Sequence, residues 1–245
     1  TMAKHLTAAD VLLAPSRFYA EFMRSRLGFK PGAIEVVHNG IALDGYSVAD
    51  APPATPTIGY LARMSREKGL DVLVDAFLSL ARDLDDTTTR LKIAGTATEG
   101  DQPFITELQG RIARAGLTDR VEWTPNLSRD AKIAFLRGLT LFSVPTIYAE
   151  AFGLYVVEAM ACGVPVVQPE AASFPEIIAT GGGGVCVPPR DPAALARAWQ
   201  RLLADPAQRT ALGRAGRMSV EKHFSARTMC DQFSRITDRF PRVPA

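Results

Sequence analysis

Along most of the chain, short apolar runs alternate with stretches whose apolar positions recur every three or four residues. The runs at 11–14, 34–37, 57–61, 91–94, 121–124, 141–144, 165–168 and 185–187 are too short and too apolar to be isolated helices, and predict strands. Between them, Leu70, Leu73, Val74, Phe77, Leu80 and Ala81 keep helical spacing, as do Leu195, Trp199, Leu202 and Leu203, so both segments predict amphipathic helices covering a sheet. Asp191-Pro192 and Asp205-Pro206 each place a capping carboxylate before a first-turn proline and predict two further helix starts. Alternation of this kind implies βαβ units, and the fold class is α/β: a Rossmann-like parallel sheet with helices on both faces.

The connection 49–56 carries Pro52, Pro53 and Pro56, which suit neither a helix nor a central strand, and marks a domain or subdomain boundary. Residues 1–40 before it supply a strand, a helix and a strand, too little to bury a core, and read as the tail of something larger. The polar stretch 83–90 predicts a solvated loop, and 226–240 a final helix. No internal repeat is present.

Composition narrows the partners. The chain has 245 residues, 47% hydrophobic and 22% charged, the mixture of an ordinary globular protein. Its 28 Lys and Arg against 26 Asp and Glu leave a net charge of +2 without a basic cluster, which argues against duplex nucleic acid as a partner. The longest apolar stretches, 139–149 and 151–162, fall short of the roughly 20 residues of a bilayer span and are broken by Pro145 or Glu158, so no transmembrane segment is predicted. The opening Thr1-Met2-Ala3-Lys4 has no apolar leader, and Cys162, Cys186 and Cys230 form neither a disulfide framework nor a metal-ligand pattern. The expected location is cytoplasmic.

Glu158 is the strongest local anomaly. Every other side chain between Phe152 and Cys162 is apolar or small, and an unpaired carboxylate in such a helix costs several kcal/mol. It therefore requires a ligand or a structural partner, either a buried ion pair or capping N–H groups. Just upstream, Glu150-Ala-Phe-Gly153 lies between a strand and this helix, which would leave the backbone N–H groups of Phe152, Gly153 and Leu154 at a helix N-terminus suited to phosphate. From there to Glu158 is roughly 7 Å of helix rise, comparable with the reach from a diphosphate to its ribose. Arg63 and Lys68, in Gly59-Tyr-Leu-Ala-Arg63-Met-Ser-Arg-Glu-Lys68-Gly69, likewise follow a strand and precede a helix. Loops beyond the carboxyl ends of parallel strands converge, so these cations either meet that diphosphate or are a solvated cluster.

These residues resemble the donor-binding half of the retaining glycosyltransferases of family 4 (group 1), which have the GT-B fold. The family's signature of two Glu separated by seven residues is matched by Glu150 and Glu158, within Glu150-Ala-Phe-Gly-Leu-Tyr-Val-Val-Glu-Ala-Met-Ala-Cys-Gly-Val-Pro-Val166. The similarity runs from Val37-His-Asn-Gly-Ile41 and Gly59–Gly69 through Pro175-Glu-Ile-Ile178 to Phe224-Ser225, nearly the whole chain. The resemblance implies that residues 1–40 are a remnant of an N-terminal acceptor domain and linker, 41–225 the nucleotide-sugar donor-binding domain, and 226–245 a C-terminal crossover helix and tail. It implies transfer of a hexose-type sugar from a nucleotide diphosphate sugar, with retained configuration, front-face attack, no cofactor and no metal. Arg63 and Lys68 would hold the diphosphate, Glu158 the ribose and Glu150 the transferred sugar. Arg63, Lys68 and Glu150 would form the catalytic set, and the amides of Phe152, Gly153 and Leu154 would meet sugar and distal phosphate. Asn126 and Leu127, in the loop Pro125-Asn-Leu127, would frame the base.

The chain departs from the family in places. Ala171-Ala-Ser-Phe174 replaces a frequent Gly-Gly before Pro-Glu, the linker Asn39-Gly-Ile-Ala42 lacks a common Asp, and Gly95-Thr-Ala97 lacks a frequent second Gly. The missing acceptor half predicts an inactive fragment, and a final helix whose Met229, Phe233 and Ile236 lack cover and promote self-association or fraying. The rival readings are a non-catalytic nucleotide-binding assembly module and a nucleotide-dependent oxidoreductase, the latter opposed by the absence of Gly-x-Gly-x-x-Gly. Gly181-Gly-Gly-Gly184 is read as a flexible turn, His38 as a structural or solvent-facing residue at a linker strand end without an evident carboxylate partner, His5 and His223 as weaker still, and Cys162 as a buried inert thiol.

Overall fold

The computed structural model describes Leu6 and residues 9–240, so the opening Thr1-Met2-Ala3-Lys4, His5 and the tail 241–245 lie outside the described residues. The eight apolar runs form strands: β1 (Leu12–Ala14), β2 (Ile34–Val36), β3 (Thr57–Leu61), β4 (Arg90–Gly95), β5 (Val121–Pro125), β6 (Leu141–Phe142), β7 (Val166–Pro169) and β8 (Gly184–Val187). β1 and β2 pair in parallel as a small separate sheet. The other six form one all-parallel sheet in the order β5-β4-β3-β6-β7-β8. Every residue of β3 and of β7 is buried, because a parallel sheet is covered on both faces.

Among the described residues the helices are α1 (Arg17–Leu27), α2 (Leu70–Arg82), α3 (Gln102–Arg114), α4 (Arg129–Arg137), α5 (Leu154–Ala161), α6 (Phe174–Gly181), α7 (Pro192–Ala204), α8 (Pro206–His223) and α9 (Ala226–Thr237). α2 packs against α3 and α7 on one face of the sheet, and α5 against α4 and α8 on the other, where α8 also covers α6. Most helix starts follow the expected chemistry: Ser16, Ser128, Asp191, Asp205 and Ser225 each accept a first-turn amide. α2 and α5 do not. Each starts from a glycine in the left-handed region, Gly69 (φ +69°) or Gly153 (φ +86°), with no side chain over its first amides.

Several expectations change. β6 stops at Phe142 rather than 144, because the Val144 amide turns to the Gln168 side chain. Residues 83–90 are not simply solvated: Thr89 is buried, and the Asp86 carboxylate accepts from the Thr88 and Thr89 amides, the Thr89 hydroxyl and Arg120. The Gly181–184 run is no free turn either, since Gly182 caps α6, Gly184 opens β8 and both elements lie against α8. The final helix finds cover on the N-terminal segment. Ile236 is buried, the Gly40 amide donates to Met229 Sδ, the His38 amide donates to Gln232, and Arg239 pairs with Glu35. Met229 is half-buried and Phe233 stays 48% exposed.

Candidate functional site

Chain direction across the sheet reverses between β3 and β6: from β3 it proceeds outward to β4 and β5, from β6 outward to β7 and β8. At such a switch point the loops leaving the two strands part, and a crevice opens beyond their carboxyl ends. The two loops are bound to each other at their base. The Thr146 hydroxyl and the Ile147 amide both donate to the Glu67 carbonyl, at 2.8 and 3.0 Å. A Cβ at Gly69 would stand 1.8 Å from the Pro145 carbonyl oxygen, so only glycine allows this approach.

Lys68 and Glu150, one from each loop, meet there. Lys68 Nζ donates to Glu150 Oε2 at 2.5 Å and to the Tyr148 hydroxyl at 2.6 Å, while the Tyr148 and Tyr155 hydroxyls each donate to the same carboxylate oxygen at 2.8 Å. Glu150 Oε1 has no donor among the described residues. Burial pulls the Lys68 ammonium down, but its bonds to Glu150 and Tyr148 outweigh that and hold it above the ordinary lysine range. Burial, reinforced by Glu150, holds the Tyr155 phenol well above its usual value, so it remains a donor. The tyrosines were not legible as polar ligands in the sequence, because Tyr155 sits among the apolar residues at the start of its helix and Tyr148 in the loop before it, each read as part of an apolar stretch.

Arg63 follows β3 on the same loop and is aimed by a residue that sequence reasoning missed. Its Nη2 donates to Asp101 Oδ1 at 3.0 Å, and its side chain remains 57% exposed. Asp101 is buried and also receives the Thr98 amide and hydroxyl, closing a capping box before α3. The Arg63 hydrogen bond, then those from Thr98, hold the Asp101 carboxyl down at about 2. Arg63 is thus a fixed cation with open donor edges.

At the start of α5 the amides of Phe152, Gly153 and Leu154 have no acceptor among the described residues, and Leu154 is exposed. Helix N-terminus and Lys68–Glu150 pair therefore share one rim. Phe152 itself is buried against Phe224 and His38, so its ring is structural. One turn beyond Leu154, on the same helix face, Glu158 receives Lys132 Nζ at 2.5 Å and the Tyr46 hydroxyl at 2.8 Å. The choice left open for Glu158 thus has a structural answer in this state, an ion pair with α4. Lys132 and Tyr46 are further residues the sequence did not disclose. Asn126 and Leu127 follow β5 at the same end of the sheet, two strands away from β3; Asn126 takes φ +58° and accepts from the Ala97 amide, while Leu127 packs on the core.

His38 corrects the expectation that it lacks a carboxylate. Its Nε2 lies 2.7 Å from Glu176 Oε1, and Glu176 also receives the Arg17 and Phe18 amides at the start of α1. Burial raises the Glu176 carboxyl, but these donors outweigh it and hold it below the usual range. This cluster fastens the N-terminal segment to α6. Ala172 takes φ +55°, the region that favours glycine, at the place where the family resemblance leads one to expect Gly. Cys162 is buried and its thiol is pushed up to about 11, chiefly by burial. Among the described residues no group of three His, Cys, Asp or Glu side chains is placed to hold a metal ion, and no helix is long and apolar enough to cross a membrane.

Comparison with known proteins places these features in context. A family model described as glycosyl transferases group 1 matches residues 48–219. A D-inositol 3-phosphate glycosyltransferase of Xylanimonas cellulosilytica is 31% identical over 96% of this chain and 59% of its own length. Its counterpart in Streptomyces bingchenggensis is 28% identical over 88% of this chain and 50% of its own. The chain spans about half the length of the curated relatives it matches. Sucrose-phosphate synthase from Thermosynechococcus elongatus superposes with a TM-score of 0.85 at 26% identity, over 97% of this chain and 60% of that one. Anabaena Alr3699/HepE in complex with UDP and glucose superposes with a TM-score of 0.84 at 21% identity, over 97% and 68%.

Proposed function

This chain belongs to the group 1 glycosyltransferases, and from that premise we propose that it is the donor-binding domain of a retaining enzyme that moves a hexose-type sugar from a nucleotide diphosphate sugar to an acceptor. The observation that carries the reading is the convergence of Arg63, Lys68, Glu150 and the uncapped start of α5 at the switch point between β3 and β6. We assign residues 1–40 to the acceptor side, 41–225 to the donor domain and 226–245 to the crossover helix and tail. The location we propose is cytoplasmic.

In this proposal the diphosphate lies across the α5 N-terminus, where the amides of Gly153 and Leu154 and the helix dipole meet it. Arg63 turns its open edge to one phosphate, and Lys68 shares its remaining donor capacity with another. As the bond to the sugar breaks, negative charge grows on the leaving phosphate, and these fixed donors stabilise the transition state more than the ground state. The leaving phosphate takes the proton of the incoming acceptor hydroxyl, so no protein side chain acts as nucleophile or general base, and protein cations take the part a divalent metal would otherwise play. Glu150, held through Oε2, offers Oε1 to a sugar hydroxyl. Glu158 accepts the ribose hydroxyls beside Lys132, and Asn126 and Leu127 border the base.

The test is calorimetric titration of the chain with UDP, the nucleotide named with the Anabaena neighbour. Arg63→Ala and Lys68→Ala should each weaken binding by about tenfold or more. Unchanged affinity in both removes the assigned phosphate site.

A further inference from the structure

A second concave site lies at the end of the sheet opposite the crevice. Beyond the amino ends of β6 and β7, the proline-rich connection 49–56, the turn after α5 and one face of α8 enclose a cavity of about 640 Å³, within the range of small-molecule sites. Its floor is apolar, formed by buried Leu139, Cys162 and Val164, and its mouth carries Val48 and Met218, which are 52% and 62% exposed.

Four arginines line this cavity, and Asp50 is the one carboxylate among its lining residues. Two of the four are committed. Arg209 donates to the Leu202 and Leu203 carbonyls at the end of α7, and Arg217 to the Tyr46 and Ala161 carbonyls and to Glu221. Arg137 and Arg214 have no hydrogen bond or ion pair among the described residues, and Arg137 Nε is buried without a partner. The Nε itself is sealed from solvent, but Arg137 as a whole is half-buried and Arg214 exposed, so the remaining N–H donors of both guanidinium groups stand open to an oxyanion in the cavity.

We propose that this cavity binds a soluble phosphomonoester bearing a compact apolar group, with the phosphate between Arg137 and Arg214 and the apolar group over Leu139, Cys162 and Val164. A phosphate supplies enough acceptor oxygens for two planar forks at once, which a single hydroxyl or amide does not. Arg137 is half-buried in the cavity wall while Arg214 stands exposed at its mouth, and a concavity of this size takes a small soluble ligand rather than a lipid surface.

Phenyl phosphate is the probe, titrated calorimetrically into the chain carrying Arg63→Ala and Lys68→Ala so that the crevice does not compete. The expected result is one site, binding phenyl phosphate more tightly than inorganic phosphate, with phenol alone not bound. Adding Arg137→Gln and Arg214→Gln should weaken it by about tenfold or more. In the otherwise wild-type chain the same pair should leave UDP affinity within about twofold, since the two sites lie at opposite ends of the sheet. Arg214→Gln alone, on the exposed face of α8, gives a smaller loss and serves if the double variant folds poorly. The proposal is overturned by absence of phenyl phosphate binding, by binding that both variants leave unchanged, by equal affinity for inorganic phosphate, or by capture of phosphatidic acid vesicles without any affinity for phenyl phosphate.

Discussion

Lys68 Nζ stands 2.5 Å from Glu150 Oε2, although the two residues are 82 positions apart in sequence. The pair joins the loop after β3 to the loop after β6, and it neutralises a carboxylate that is almost wholly buried. An anion entering the crevice shares Lys68 with Glu150 rather than meeting a free ammonium.

Lys68→Ala leaves the Glu150 carboxylate with two tyrosine donors and no cation. Besides the loss of nucleotide affinity, the variant should lose about 1–3 kcal/mol of stability. Urea unfolding followed by circular dichroism measures it; a midpoint equal to that of the wild type means the pair contributes nothing to the fold.

If Glu158 accepts the ribose hydroxyls, the wild-type chain should bind UDP about tenfold more tightly than its 2′-deoxy analogue. In Glu158→Gln that preference should shrink to about twofold or less, while Lys132, left without its acid, keeps some attraction for the nucleotide. An undiminished preference in the variant confines Glu158 to its structural pair.

Gly69 and Gly116 both take positive φ, but a Cβ on Gly69 would meet the Pro145 carbonyl at 1.8 Å, whereas nothing lies within 4 Å of one on Gly116. Gly69→Ala should therefore lower stability by about 3 kcal/mol or more and loosen the crevice, and Gly116→Ala by only about 1 kcal/mol. Thermal melting of the two variants side by side decides this; equal losses contradict the contact between the loops.

Asp101 has its carboxyl held at about 2 by Arg63 and Thr98, below its unfolded value. A group depressed in this way contributes stability above its unfolded pKa and loses it as pH falls through the folded one. The melting temperature of Asp101→Asn should lie below that of the wild type above about pH 5, and the gap should close as pH falls toward about 2. A gap that does not narrow on acidification assigns the effect to lost packing instead. At neutral pH the variant should also bind UDP less tightly, because Arg63 loses its orienting acid.

The apolar runs at 57–61, 121–124 and 185–187 became strands within a residue at either end, because a strand buried on both faces has few alternatives. The run at 141–144 shortened, because the competing acceptor, the Gln168 side chain, lies 24 residues away in sequence. The order in the polar loop 83–90 has the same origin: Arg120, which organises Asp86, comes from a distant turn. His38 and Glu176 are separated by 138 positions, and nothing in their local contexts links them.

For the candidate site, local sequence marked the residues that break a pattern. Glu158 interrupts an apolar helix, Gly153 allows a left-handed turn, and Arg63 and Lys68 follow a strand. Their neighbours carry no such mark: Tyr46, Asp101, Lys132, Tyr148 and Tyr155 are ordinary polar or aromatic residues where they stand in the chain. The sequence by itself determined the α/β architecture and the family, because burial periodicity and turn chemistry act over a few residues. Tertiary structure alone decided which cation meets which carboxylate, and which arginines are left over at the far end of the sheet. Charge pairing depends on distance in space, and strand order, not chain order, sets that distance.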